Sequence, residues 1–136
     1  MILRVFLFVA FVAACAATAL AQPAHAQAPA HGIWKGTGLQ VAHTGAQSTW
    51  TIKLTVDQHG RNLIEYPSLG CKGELTQIAN GVEGFEYNEK ITSGPCIDRG
   101  RIVAKQRSNR VFWFWYQPGG GEADASAVLY RDELVS

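Results

Sequence analysis

The chain predicts an all-β fold: an antiparallel meander of about eight short strands that closes into a small barrel or a strongly curved sheet. Three observations carry this. Residues 49–56 alternate, with Trp50, Ile52, Leu54 and Val56 on one face and Thr49, Thr51, Lys53 and Thr55 on the other. Turn-forming clusters then recur at spacings of roughly 8–12 residues to the C-terminus. No stretch in that region has the apolar period of a helix. A flat sheet this small would leave two apolar edges unpaired, which favours closure.

The elements follow in order. Gly32-Ile33-Trp34-Lys35-Gly36-Thr37-Gly38-Leu39 opens the folded part as a glycine-interrupted strand, and the alternating run from Ser48 to Val56 is the second. Asp57-Gln58-His59-Gly60 turns the chain, and Asn62 to Tyr66 returns. Pro67 has no N–H to give a ladder, so it stops that strand or puts it at an edge. Cys71 to Ile78 comes next, closed by Asn80-Gly81, the strongest hairpin signal present because both residues tolerate left-handed backbone. Val82 to Ile91 places Phe85, Tyr87, Glu89 and Ile91 on one face. Ser93-Gly94-Pro95 leads to Gly100–Gln106, and Ser108-Asn109 to Arg110–Gln117. Pro118-Gly119-Gly120-Gly121 turns into the last strand, Ala123 to Arg131.

The N-terminus has a different character. Arg4 precedes an uncharged apolar run from Val5 to Ala21 that ends in Ala19-Leu20-Ala21, the layout of a secretory signal with a small-x-small cleavage site. This predicts a signal over 1–21, a flexible Ala/Gln/Pro/His leader over 22–30 and a single β domain over 31–136. Ala24-His25-Ala26 offers a second cleavage site. Val12-Ala13-Ala14-Cys15 has the pattern of a bacterial lipoprotein box, so the alternative to a soluble periplasmic or secreted protein is one anchored through lipid on Cys15. In either case Cys15 stays out of the fold.

Charge excludes one class of partner. Twelve Lys and Arg stand against 11 Asp and Glu, interspersed, with no basic stripe of the kind a phosphate backbone needs. Nucleic acid is therefore not expected, and neither is a transmembrane segment in the mature protein.

The two remaining cysteines, Cys71 and Cys96, would meet an oxidising compartment and are expected to form one structural disulfide. They enclose a loop of about 25 residues, for which loop closure gives about 3.5 kcal/mol. Redox chemistry would want Cys-x-x-Cys, and a metal would want more ligands than the scattered His25, His31, His43 and His59 supply. No catalytic residue, metal site or cofactor is expected. Gly70, Gly73, Gly94 and Gly100 read as bends around the disulfide.

Two features stand out as contact candidates. Glu89 shares its face with apolar residues, so it needs an arginine (Arg99, Arg101, Arg107 or Arg131), several hydrogen-bond donors, or a proton. The run Phe112-Trp113-Phe114-Trp115-Tyr116 puts Trp113 and Trp115 with Val111 on one face and the other three on the opposite face. Only one set can fill a barrel. The other must be covered, by the N-terminal segment or the loop before Trp50, or must serve as a binding surface.

Gly32-Ile33-Trp34 together with Arg131 resembles the first-strand tryptophan and packing arginine of lipocalin-like, calycin-like barrels. A second resemblance is more extensive. Tyr66-Pro67-Ser68-Leu69-Gly70-Cys71-Lys72-Gly73-Glu74-Leu75, with Phe85, Glu89-Lys90-Ile91, Gly94-x-Cys96, Trp115 and Ala127-x-Leu129-x-Arg131, is similar to a poorly characterised bacterial family of small extracytoplasmic β domains. These occur in secreted or lipid-anchored proteins and outside the membrane in some bacterial serine/threonine kinases. The resemblance implies a shared Cys71–Cys96 staple and an inward Glu89, and it implies no substrate. Trp34, Tyr66, Gly70, Gly73 and Arg131 are expected to be structural.

The residues point to a non-catalytic exported binding domain that recognises a small molecule, a glycan or a protein through Trp113, Trp115 and Glu89. The alternatives are a structural cell-envelope module and an inhibitor of an extracellular hydrolase.

Overall fold

The computed structural model describes residues 27–59 and 61–132. The signal segment, Cys15 and leader residues 22–26 lie outside them. Eight strands follow one another: β1 (Gly32–Val41), β2 (Gln47–Val56), β3 (Asn62–Tyr66), β4 (Cys71–Asn80), β5 (Phe85–Ser93), β6 (Arg101–Arg107), β7 (Arg110–Tyr116) and β8 (Ala125–Arg131). Each pairs antiparallel with the next, and β8 pairs with β1, so the meander closes into a barrel. Closure satisfies the two edges that an open sheet would expose.

Period-two patterning decides what fills the interior. Ile52, Leu54 and Val56 of β2 face inward and are buried, as are Ile64, Leu75, Tyr87, Ile102, Val111 and Leu129. Their neighbours along each strand lie on the outer face, where Val103 of β6 is nevertheless buried. Pro67 ends β3 by opening a 3₁₀ turn, Pro67–Leu69, which Gly70 closes in the left-handed region at φ 68°. In a closed barrel it makes no edge.

Two local expectations are corrected. Asn80-Gly81 does not form a two-residue turn: Asn80 remains in β4 opposite Phe85, and the connection is the four residues 81–84. The Gly81 N–H bonds the carbonyl of Gly84, and Gly84 takes the positive φ. A side chain on Gly84 would also press on the Ala104 carbonyl, so the tight approach to β6 places the glycine requirement there. The end of the leader is also part of the fold. The carbonyl of Gln27 accepts from the Gln106 N–H at 2.9 Å, Pro29 is buried, and Ala30 packs on the core. β5 begins opposite Ala104, which leaves β6 beyond that point free to take this partner.

The two ends of the barrel differ. The lower end, ringed by the 57–61, 81–84 and 108–109 connections, is plugged. The Trp34 indole is fully buried there and donates to the Ala30 carbonyl at 2.9 Å. The Ala30 N–H reaches the Gln106 side chain at 2.7 Å, and the Arg131 guanidinium lies 4.9 Å from the centre of the Trp34 ring. The upper end carries the 42–46, 67–70, 94–100 and 117–124 connections. Here Cys71, at the start of β4, is joined to Cys96 in the 94–100 loop with Cα atoms 6.1 Å apart. Gly94 makes this possible: its φ is +91°, and a Cβ there would fall 2.9 Å from the Cys71 sulfur. Among the described residues no helix is long and apolar enough to cross a membrane.

Candidate functional site

The upper end is hollow. A cavity of about 380 Å³ opens between the β1–β2 connection, the 3₁₀ turn and the disulfide-tied 94–100 loop. Trp50, Tyr66, Glu89, Trp113 and Trp115 line it, and Leu69 and Ile97 form part of its rim. Each arrives by the alternation of its strand. Trp50 is the uppermost member of the inward row Trp50-Ile52-Leu54-Val56, and Gly38 on β1 leaves room for its ring. Tyr66 continues the inward row from Ile64, while Trp113 and Trp115 follow Val111 on β7.

Glu89 is the only buried charged residue among those described, 2% exposed. Its partners are neutral donors. The Tyr66 hydroxyl donates to Oε2, and the Trp115 indole N–H donates to Oε1 at 3.0 Å. The backbone of Glu89 is fixed by its N–H donating to the Gly100 carbonyl at 2.8 Å. Burial pushes the Glu89 carboxyl above its ordinary range, and the nearby charge of Asp98 adds to this, while the two hydrogen bonds pull the other way. Burial and the neighbouring carboxylate raise the Tyr66 hydroxyl strongly, so it remains a donor.

The expected arginine is not there. Arg101 lies 3.9 Å from the Tyr116 ring centre and 3.4 Å from Glu86, and Arg131 is committed to Trp34 at the opposite end. Neither Arg99 nor Arg107 forms an ion pair or a hydrogen bond with Glu89. Asp98, read as a surface charge, is exposed and holds the loop: its Oδ1 accepts from the Ile91 and Arg99 N–H groups, both at 2.8 Å.

The candidate contacts Glu89, Trp113 and Trp115 therefore come together at one cavity wall, but not as an exposed patch. Trp113 is fully buried, edge-on to Tyr66 with ring centres 6.4 Å apart, and its indole N–H finds no acceptor among the described residues. Trp115 is half-buried. The outward aromatics are half-buried: Phe112 stands opposite Lys105, Phe114 opposite Val103 and Tyr116 opposite Arg101, and with these neighbours they line an open groove on the outer face. The Arg101 guanidinium lies over the Tyr116 ring and shields that part of the face, while the expected cover from the N-terminal segment or the loop before Trp50 is not among the groove's lining residues.

Of the residues expected to be structural, Trp34 and Arg131 sit at the plugged end, Gly70 caps the 3₁₀ turn and Gly73 lies buried in β4. Tyr66 is more than structural, because it supplies one of the two donors to Glu89. Its inward position after Ile64 was the available signal, since a buried phenol needs a hydrogen-bond partner. Gly100 belongs with Glu89 rather than with the disulfide. A Cβ on it would fall 2.9 Å from Glu89 Oε1 and against the Trp115 indole nitrogen. Among the described residues no cluster of three or more His, Cys, Asp or Glu is placed to hold a metal ion.

Comparison with protein-family models, curated proteins and solved structures gives no match to this chain.

Proposed function

We propose that the protein is a non-catalytic, exported binding domain whose barrel mouth takes up a small molecule. The observation that carries this is the cavity: its volume of about 380 Å³ falls within the range of small-ligand sites, and its walls are aromatic and aliphatic around one polar group. A purely structural envelope module has no use for a lined hollow with a buried carboxyl in its wall. Glu89 is held by Tyr66 and Trp115, which orient it without offering a nucleophile and base in relay, and this favours binding over catalysis.

Export rests on the segment 1–21 and on the Cys71–Cys96 disulfide, which suits an oxidising compartment. The resemblance of the Tyr66–Leu75 segment to small extracytoplasmic β domains fits the same location. The mature N-terminus separates the two forms of export. Mass spectrometry finding Gln22 or Gln27 first gives a soluble periplasmic or secreted protein, whereas a lipid-modified Cys15 gives an anchored one. A protein partner, including an extracellular hydrolase, is the second reading, favoured by Leu69 and Ile97, which are 44% and 58% exposed at the rim.

The test is native mass spectrometry of protein purified gently from its own envelope, followed by small-molecule screening on tryptophan fluorescence. Retained mass that leaves on denaturation, or saturable quenching lost in Trp50→Leu, supports the reading. Bare protein with no saturable response to any small molecule overturns it.

A further inference from the structure

The mouth combines three features that point to one ligand chemistry. Glu89 is buried with both oxygens bonded to neutral donors, and among the described residues no lysine, arginine or histidine lines the cavity. A carboxylate has about four acceptor positions, and Tyr66 and Trp115 occupy two of them. The walls carry Trp50, Trp113, Trp115 and Tyr66, whose ring faces attract cations. Asp98, in the adjoining loop, adds negative potential. An anionic ligand would meet two acids and no countercharge. A neutral apolar ligand would leave the carboxylate without the charge it lacks.

We infer that the cavity binds a compact organic ammonium ion, an amine on an apolar body, with the ammonium bonded to Glu89 and the body against the indole rings. This rests on the small-molecule reading above and narrows it to a charge class. Glu89 itself is buried behind the apolar rim of Leu69, Pro95 and Ile97, and an ion pair at that depth is screened less by water. The cavity of about 380 Å³ has room for an amine with a ring-sized apolar body. Tyr66 and Gly100 act as positioning elements: the phenol fixes one carboxylate oxygen, and the bare backbone of Gly100 lets the other approach Trp115.

The experiment compares matched probes on the mature protein by tryptophan fluorescence and calorimetry. Phenethylamine, phenethyl alcohol and phenylacetate share a body and differ in charge; cyclohexylamine and cyclohexanol repeat the comparison without an aromatic ring. The expected result is that each amine binds roughly tenfold or more tightly than its alcohol, as a hydrogen bond to a buried charge requires, with phenylacetate weakest. In Glu89→Gln that preference disappears. Alcohols binding as well as amines, or phenylacetate binding best, overturn the ammonium assignment and leave the small-molecule reading standing. No binding by any probe of either body overturns the ammonium assignment, and the broader screen then decides the small-molecule reading separately. The amine-to-alcohol ratio of the unaltered protein decides the matter even if Glu89→Gln fails to fold.

Discussion

The two ends of this barrel solve the same problem in opposite ways. Each buries tryptophan among strands that converge, and each contains a charged side chain beside the indoles. At the plugged end the chain supplies every partner: Trp34 donates to Ala30, Ala30 is tied to Gln106, and Arg131 covers the ring. At the mouth the partners are incomplete. Glu89 has donors but no countercharge, and the Trp113 N–H has no acceptor among the described residues. A satisfied end is what stability asks of a fold, and an unsatisfied one persists where something else completes it. The lower end anchors the barrel, and the upper end is where the proposed ligand would complete the set of partners.

Substitutions should therefore separate into two groups. The largest effect belongs to the plug. Trp34→Ala removes a fully buried indole and is expected to cost about 3–5 kcal/mol in denaturant unfolding. Arg131→Ala, which loses only an exposed cation beside that ring, should cost ~0.5–1 kcal/mol, so the two together show how much of the plug is packing. If Trp34→Ala cost no more than Arg131→Ala, the lower end would not be the anchor.

The disulfide comes next. Replacing Cys71 and Cys96 by alanine should lower stability by about 3.5 kcal/mol through the freed loop of the unfolded chain. Hydrogen exchange should show protection falling at the mouth, in the 94–100 loop and β4, before it falls around Trp34. Uniform loss of protection would mean that the ends unfold as one unit and that the contrast is not energetic.

Most of the frame was legible because strand patterning is local. The alternation in β2, the inward face of Phe85-Tyr87-Glu89-Ile91 and the staple between Cys71 and Cys96 each depend on a few neighbouring residues or on compartment chemistry. What could not be read depends on closure. Which donors Glu89 meets is fixed by where β3 and β7 fall around the ring, since Tyr66 and Trp115 lie 23 and 26 residues from it in sequence. Arginines nearby in sequence were therefore the wrong guide. Closure also turned Trp113 and Trp115 inward, where alternation alone left two faces equally eligible. The Trp34–Arg131 half of the plug was legible, but its other half was missed for a related reason: Gln27 to Ala30 have no apolar periodicity and gain their order from the free end of β6.

A smaller, more local effect is expected at Gly100. Gly100→Ala would push a methyl group into the contact between Glu89 and Trp115, and overpacking of this kind costs ~1–3 kcal/mol. The informative readout is Trp115 fluorescence, which should shift as the indole leaves the carboxylate, while protection around Trp34 is unchanged. An unaltered emission spectrum would show that Gly100 does not govern that hydrogen bond.

The finest distinction is a slope with pH, and it isolates Glu89. Its carboxyl is raised in the folded protein above an ordinary value near 4.5, with Tyr66, Trp115 and Asp98 the groups that act on it from neighbouring elements. Well below 4.5 both folded and unfolded chains carry the proton. As pH rises past that value the unfolded chain releases it first, so stability falls until the folded carboxyl ionises as well, and then levels. Asp57, Glu65 and Asp98 work in the opposite sense. Arg61, Lys53 and backbone N–H groups respectively hold their carboxyls low, so they add stability as pH climbs through the acid range. Glu89→Gln should therefore keep the rise at acid pH and abolish the decline that follows it, leaving the variant the more stable form at neutral pH in the absence of ligand. Saturating phenethylamine should act on the unaltered protein in the same direction, because an ammonium ion compensates the ionised carboxylate that the barrel leaves unpaired. Parallel pH profiles for the two proteins would show that Glu89 ionises alike in the folded and unfolded chains, and the mouth would then be no less satisfied than the plug.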